Sequence, residues 1–338
     1  MNLHPQVSVV VVTRNRRNDL EEAIESLRQQ TYDNIEIVVV DNGSGDGTVE
    51  MLKNGAPDVK LIELGRNTGA YHARNVGTCA THGEILFFLD DDATLEKNSL
   101  KLIVDRFSVE ETLGVVICKL IQGGSGVPQA YLFSPLGGTL DVECYLGDMV
   151  AEGATAIRRD VFEDAGRWSA HYFRAHVGKD LSFRIIDGGH NITYLPSAIV
   201  YHKESPLDNF SRQQIEREKM FYMMRNQLWI VWKYLPLPRA GAESVVKIAY
   251  YFVNSIRSGS FFPYLRGLVA AFITMPRIFL KERKPVSKST LSKIDYLTYG
   301  KLITHQEMLD TFVPLSYMAV LSARIIGLFS RAAGPKPQ

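Results

Sequence analysis

The stretch Ile85-Leu86-Phe87-Phe88-Leu89-Asp90-Asp91-Asp92 decides how the rest of the chain is read. Its five apolar residues, short in run and rich in aromatics, have the composition of a buried strand. Three carboxylates at the end of that strand cannot join the core, because burying an unpaired charge costs too much. They face water, cations or a metal. On an extended backbone residues 90 and 92 point the same way, so two oxygens can converge on one hard divalent ion. Taken alone, the triplet also reads as a solvated acidic turn that caps the next helix.

Upstream, three more short β-rich runs occur: Val7–Val12, Ile35–Val40 and Val59–Ile62. Helical patterns separate them. Asn18 with Glu21 three residues on can open a helix whose apolar stripe is Leu20, Ile24 and Leu27. Asp46 can cap a helix carrying Val49 and Leu52, and a further helix is expected near Ala70–Ala80. Strands this apolar, alternating with helices, predict an α/β fold: a mostly parallel, Rossmann-like sheet with helices on both faces. In such a sheet the C-terminal strand ends share one edge, where ligands bind. Thr13-Arg14-Asn15, Asp41-Asn42-Gly43-Ser44 and Asp90-Asp91-Asp92 all follow strands and so land there. Right-handed crossovers give the local order 3-2-1-4 and a crevice between the first and fourth strands. Thr13 and Asp90 would flank it, with Asp41 one strand out.

The 338 residues, 46% hydrophobic and 22% charged, suffice for a large core with more than one structural unit. A formal net charge of +1 argues against a nucleic-acid partner. Cys79, Cys118 and Cys144 show neither metal spacing nor a disulfide framework, which suits a reducing, cytoplasmic setting. Met1 to Pro5 lacks a basic leader region, so no signal peptide is expected. The apolar segments Phe261–Leu280 and Phe312–Phe329 are interrupted by Arg266, Arg277 and Arg324. Their uninterrupted runs fall short of the roughly 18 residues a membrane span needs.

Residues 113–205 are mixed, with glycine loops at Gly123–Gly126 and Gly137-Gly138. A helix is expected near Asp160–Ala165 and another over Leu181–Ile186, with extended segments at Ile192–Leu195 and Ile199–Tyr201. Beyond a boundary near 205–210 the chain becomes helical. The expected division is therefore a unit of residues 1–205, with a nucleotide-binding half to about 100 and an acceptor half after it. A helical C-terminal region, 206–338, follows.

Several ordered motifs together resemble glycosyltransferase family 2 of the GT-A fold, close to its bacterial rhamnosyltransferase-like members. They are Val9 to Asn15, Val39 to Thr48 and Asn67 to Gly77, then Asp90-Asp91-Asp92 matching the family's DxD element, then Gly153 to Arg159 and Tyr201-His202. Arg225-Asn226-Gln227-Leu228-Trp229 resembles a segment that follows the catalytic domain in some members. The resemblance implies a nucleotide-sugar donor, a divalent metal (Mn²⁺ or Mg²⁺), and transfer with inversion to a saccharide or lipid-linked acceptor in cell-surface glycan synthesis. It implies that Asp92 holds the metal, that Asp90 reaches the donor's ribose or the metal, and that Asp91 lies on the donor. Thr13, Asn15 and Asp41 resemble the nucleoside pocket, although Asp41 is also a natural turn-former. His202 is either a third metal ligand or a half-buried histidine after a strand. Asn67 and Arg74 are donor contacts, Arg74 pairing a phosphate, or else caps and surface groups.

Inverting transfer needs a carboxylate to take the acceptor's proton. The family's acidic pair falls on Val177-Gly178 here, ahead of Leu181-Ser182-Phe183-Arg184. Asp180 either serves as the base by a local shift or only pairs with Arg184 four residues on. The missing pair keeps open a catalytically silent, sugar-nucleotide-binding or scaffold protein of the same fold. The Gln-x-x-Arg-Trp motif of processive members is absent, since Glu218 follows Gln214-Ile215-Glu216-Arg217. In the C-terminal region Tyr250, Tyr251, Phe252, Phe261, Phe262 and Tyr264 precede Lys281, Arg283, Lys284, Lys288 and Lys293. Apolar anchors beside a basic cluster suit peripheral docking on the inner face of the cell membrane, or else packing on the core or in a homodimer.

Overall fold

The computed structural model describes residues 4–122, 128–129, 142–203 and 209–299. The glycine loops at 123–126 and 137–138 and the segment Phe312–Phe329 lie outside the described residues. The chain opens β1 (Val7–Thr13), α1 (Arg17–Arg28), β2 (Ile35–Asp41), α2 (Thr48–Gly55), β3 (Val59–Glu63), α3 (Ala70–Cys79) and β4 (Ile85–Asp90). It continues β5 (Ala93–Leu95), α4 (Ser99–Ser108), β6 (Leu113–Gln122), β7 (Pro128–Gln129), β8 (Cys144–Tyr145) and β9 (Ala154–Arg158). Then come α5 (Arg159–Asp164), α6 (Val177–Asp187), β10 (Asn191–His202), α7 (Asn209–Tyr234), α8 (Leu237–Arg257), α9 (Phe261–Arg277) and α10 (Lys288–Tyr299).

The sheet runs β3-β2-β1-β4-β9-β6-β10-β5. The expected 3-2-1-4 order is present and parallel, with Thr13 opposite Asp41 and Val12 opposite Asp90. The three polar clusters therefore reach the edge at nearly the same level. The second half departs from parallel: β9 lies antiparallel between β4 and β6. β10 is one strand across both expected segments, and its register against β6 shifts between Leu195 and Ile199. Pro196 lies in that shift, where its missing N–H does no harm to the ladder.

The period-2 pattern separates two cores. Val9, Val11, Phe87 and Leu89 pack with Leu20, Ile24 and Leu27 of α1 and Leu100, Ile103 and Phe107 of α4. Val10, Leu86 and Phe88 face the other side, against Tyr71, Phe162 and Trp168. The expected stripe of α1 is buried, but its cap is not Asn18: the helix starts at Arg17 with no side-chain cap. Asp46 sits just before α2, where its carboxylate accepts the N–H groups of Thr48 and Arg17.

The C-terminal helices are built into the second core rather than appended to it. Trp229, Ile230, Tyr234, Ala240, Leu291 and Ile294 belong to the same apolar cluster as Val10, Phe88 and Ile117. Within the helical layer α9 crosses α7 closely at Gly267, where a Cβ would lie 2.5 Å from the Phe221 carbonyl oxygen. Any larger residue there would push the helices apart.

Candidate active site

Three carboxylates at the end of β4 are met by cations from three other segments. Arg74, on α3, donates from Nη2 to Asp90 Oδ1 at 2.6 Å. Arg16, just before α1, pairs with Asp92 and lies 3.7 Å from Asp91. His202, the last residue of β10, places Nε2 3.1 Å from Asp92 Oδ1 and 3.9 Å from Asp90 Oδ2. Thr13 Oγ1 donates to Asp91 Oδ2 at 2.9 Å.

The cause of this meeting is a strand the sequence does not advertise. After Asp92 the chain forms β5, which pairs antiparallel with the end of β10 and sets Ala93 opposite His202. The Lys203 N–H then donates to the Asp92 carbonyl at 2.9 Å. His202 Nδ1 donates to the Lys203 carbonyl at 2.9 Å, which turns Nε2 toward the carboxylates. One ligand atom each from Asp90, Asp92 and His202 lies within 4.8 Å of the others. Two carboxylates and an oriented imidazole so placed fit a single divalent ion.

The electrostatics differ along the triplet. Burial pushes the Asp91 carboxyl up to about 6, against the pull of Arg16. Burial also opposes ionisation of Asp92, but His202 and Arg16 outweigh it and hold that carboxyl below the usual range. The hydrogen bond to Asp92 raises His202 in turn, more than burial lowers it. Arg16 was not expected in this role; its only sequence signal is a basic residue just past β1, on the edge where the acids converge.

The flanking loops are tied to each other. Asp41 is buried and accepts the N–H groups of Gly43 and Ser44, each at 3.1 Å, so it is the turn-former of the second loop. Gly43 has φ +86°, and a Cβ there would lie 2.8 Å from the Arg66 Cα. Asn15 accepts the Gly45 N–H at 2.8 Å, and its own N–H donates to Ser44 Oγ. Asn67 Oδ1 accepts from Asn42 Nδ2 at 3.1 Å and from the Gly69 N–H at 3.0 Å. These side chains fix the rim of the crevice.

Two expectations are corrected. Arg74 does not hold out a fork for a phosphate: its side chain is buried, lies over Tyr71 and Trp168, and is bound to Asp90. Asp180 is not placed to act as a base. It is fully buried, and its two oxygens take Lys233 Nζ at 2.8 Å, Tyr234 Oη at 2.7 Å, Arg184 Nη2 at 2.7 Å and Ser169 Oγ at 2.5 Å. Burial disfavours its charge, but Arg184 and Lys233 hold the carboxyl far below the usual range. A carboxylate so sequestered and so weakly basic cannot reach or accept an acceptor proton; it fastens α6 to α7.

The segment between α5 and α6 is held from α7. Phe173, Ala175 and His176 have positive φ, a backbone region costly for such residues. Asn226, fully buried, donates through Nδ2 to the carbonyls of Arg174 at 2.6 Å and Ala175 at 2.9 Å. Arg225 donates to the Tyr172 carbonyl at 3.0 Å. This is what the Arg225–Trp229 motif does. His176 is half-buried, with Nε2 3.2 Å from Tyr251 Oη, and desolvation lowers it to about 3.

Glu152 is the side chain the sequence reading passed over. Its Oε1 accepts the Gly178 N–H at 3.1 Å, and its Oε2 accepts from Tyr71 Oη. The next residue, Gly153, abuts Asp90: a Cβ there would overlap the carboxylate.

Asp180→Asn is expected to leave Arg184 and Lys233 buried against a neutral partner, a loss of about 3–5 kcal/mol. Because the folded carboxyl titrates below its unfolded value, the wild-type contribution is present above about pH 4. It is lost as pH falls further, toward the folded value. Denaturant titrations of both proteins at pH 7 and pH 3 check this: the gap should narrow in acid.

Residues 8–166 match the family described as Glycosyl transferase family 2. The glycosyltransferase AglE of Haloferax volcanii is 26% identical over 69% of this chain and 83% of its own length. The succinoglycan biosynthesis protein ExoO of Rhizobium meliloti is 38% identical over 30% of each chain. Among solved structures, the mannosyltransferase PcManGT of Pyrobaculum calidifontis, in complex with GDP-Man and Mn²⁺, superposes with a TM-score of 0.54 at 19% identity. That match covers 99% of this chain and 89% of that one. S. aureus TarS superposes with a TM-score of 0.53 at 17% identity over 96% of this chain and 54% of its own. No rhamnose-specific relative is among these. With its sheet order, edge carboxylates and these matches, the chain has the GT-A fold of those glycosyltransferases, and its residues 8–166 carry the glycosyl transferase family 2 match.

Proposed function

We propose that the protein transfers a sugar, with inversion and in a metal-dependent way, from a nucleotide-sugar donor to a saccharide or lipid-linked acceptor in surface glycan synthesis. The observation that carries this reading is the meeting of Asp90, Asp92 and His202 at the sheet edge within reach of one ion. Among divalent ions an imidazole with two carboxylates favours Mn²⁺ over Mg²⁺, which prefers oxygen ligands. Bound there, the ion would neutralise the donor diphosphate as the glycosidic bond breaks. Arg16 would give up Asp92 to the ion and stay beside Asp91. Thr13, Asn15, Asp41 and Asn67 would shape the nucleoside pocket, and Arg74 would hold Asp90 in place. The mannosyltransferase relative in complex with Mn²⁺ and GDP-Man supports the same assignment.

Asp92→Ala is expected to abolish Mn²⁺-dependent transfer and the Mn²⁺-dependent part of thermal stabilisation by nucleoside diphosphates. Circular dichroism should be unchanged. Full Mn²⁺-dependent turnover in this variant would remove the metal role. Nucleotide binding without any turnover in the wild type would favour the silent reading.

We propose further that the helical region docks on an anionic membrane surface. No helix among the described residues is long and apolar enough to cross a membrane. On α9 and the π turn after it (Ile278–Glu282), Phe262, Leu265, Val269, Phe272, Ile273 and Leu280 are exposed, Leu280 by 79%. Exposed Arg266, Arg277, Lys281 and Lys284 lie on the same elements and the loop after them, and exposed Arg257 closes α8 just before them. Apolar anchors with a basic rim match acyl chains and anionic headgroups. The double variant F272E/I273E should lose sedimentation with phosphatidylglycerol vesicles. Unchanged sedimentation, or a switch from dimer to monomer in light scattering, would count against the membrane.

A further inference from the structure

Resting on that transferase reading, we propose that Glu152 is the catalytic base of this enzyme, a carboxylate supplied from the β8–β9 segment in place of the acids missing at 177–178. The argument starts with room. A Cβ at Gly178 would overlap the Val150 carbonyl oxygen, so no acidic side chain fits there without a backbone shift. Val177 is fully buried. Lys179 is paired with Asp148 at 2.6 Å, and both oxygens of Asp180 are taken up inside the core. The start of α6 thus carries no carboxylate of its own that faces the crevice.

Glu152 reaches that start from outside. Its Oε1 accepts the Gly178 N–H at 3.1 Å, at the N-terminus of an eleven-residue helix, which favours an anion. Its Oε2 accepts from the Tyr71 hydroxyl. Two hydrogen bonds leave carboxylate lone pairs in hand, since an ionised carboxylate accepts about four. The side chain is only half-buried, unlike Asp180. Its position relative to the donor site follows from the backbone. Gly153 lies against the Asp90 carboxylate, and the Asp90 N–H donates to the Gly153 carbonyl at 3.3 Å. Tyr71 and Arg74 share one face of α3, so the chain Glu152–Tyr71 sits beside the pair Arg74–Asp90.

In the step assigned to it, the acceptor hydroxyl oxygen bonds to the anomeric carbon and the bond from that carbon to the diphosphate oxygen breaks. Its electron pair leaves with the nucleoside diphosphate, and the hydroxyl proton passes to Glu152, from which water later takes it. With water as acceptor the same step is donor hydrolysis.

The test uses the full chain with Mn²⁺ and a panel of GDP- and UDP-sugars, GDP-mannose included, reading released nucleoside diphosphate and thermal stabilisation together. Glu152→Gln keeps an acceptor for Gly178 and removes the basicity. It is expected to lower kcat by roughly 10²–10⁴-fold, the usual weight of general base catalysis, with donor KM and thermal shift within about 2-fold of wild type. Glu152→Asp is expected to keep part of the activity. A Glu152→Gln enzyme that turns over within about 3-fold of wild type overturns the assignment, as does a variant whose loss lies wholly in KM or in folding stability. A wild-type protein that binds donor but never releases its diphosphate overturns it too. Failure of the wild type to bind any nucleotide with Mn²⁺ would instead sink the donor-site reading, a different result on a different readout.

Discussion

Three adjacent carboxylates at the mouth of a fully buried strand are the constraint on which the rest of the site depends. Their mutual repulsion and partial burial must be offset locally, and the sequence around them contains no cation. The fold brings Arg16 from the loop after β1, Arg74 from α3 and His202 from the end of β10. The carboxylates are therefore paired, and Asp90, Asp92 and His202 are already turned toward one point. Such preorganisation would lower the cost of binding the proposed ion, because Asp90, Asp92 and His202 need not rotate when it arrives.

The helical region shapes the entry to α6 by the same logic. Asp180 draws Lys233 and Tyr234 of α7 onto α6, and Asn226 of α7 holds the positive-φ turns before it. Strain in that segment is offset by buried donors on a rigid helix, so the entry to α6 has a defined shape. The family match ends at residue 166, yet the apolar core runs on through α6, α7 and α10. Catalytic layer and helical layer are thus one packed body along this face.

The first four strands were legible because a parallel sheet buried on both faces needs unbroken β-branched and aromatic runs, and Val7–Thr13 and Ile85–Asp90 are such runs. The polar clusters after them were legible for the complementary reason: charge cannot stay in those strands. What misled was proximity in sequence. Asp180 is the carboxylate nearest in sequence to the register of the family's base, but Arg184 and Lys233 claim it inside the core. Arg74, mid-way along α3, is a residue type suited to a phosphate, but Asp90 takes it up. Glu152 carries no spacing signal at all, since its partners are 26 and 81 residues away.

By itself the sequence determined the sheet order of the first half, the sheet edge on which the polar clusters meet, and that the Asp90–Asp92 carboxylates lie outside the core. Those follow from local rules: side-chain alternation, crossover handedness and the cost of burying charge. The tertiary structure alone decided which cations answer the carboxylates, that Asp180 is buried, and that Glu152 meets Gly178. Each depends on pairing between segments distant along the chain, such as β5 on β10 or α7 on α6. Contacts of that kind are set by how whole elements pack, which no window of the sequence records.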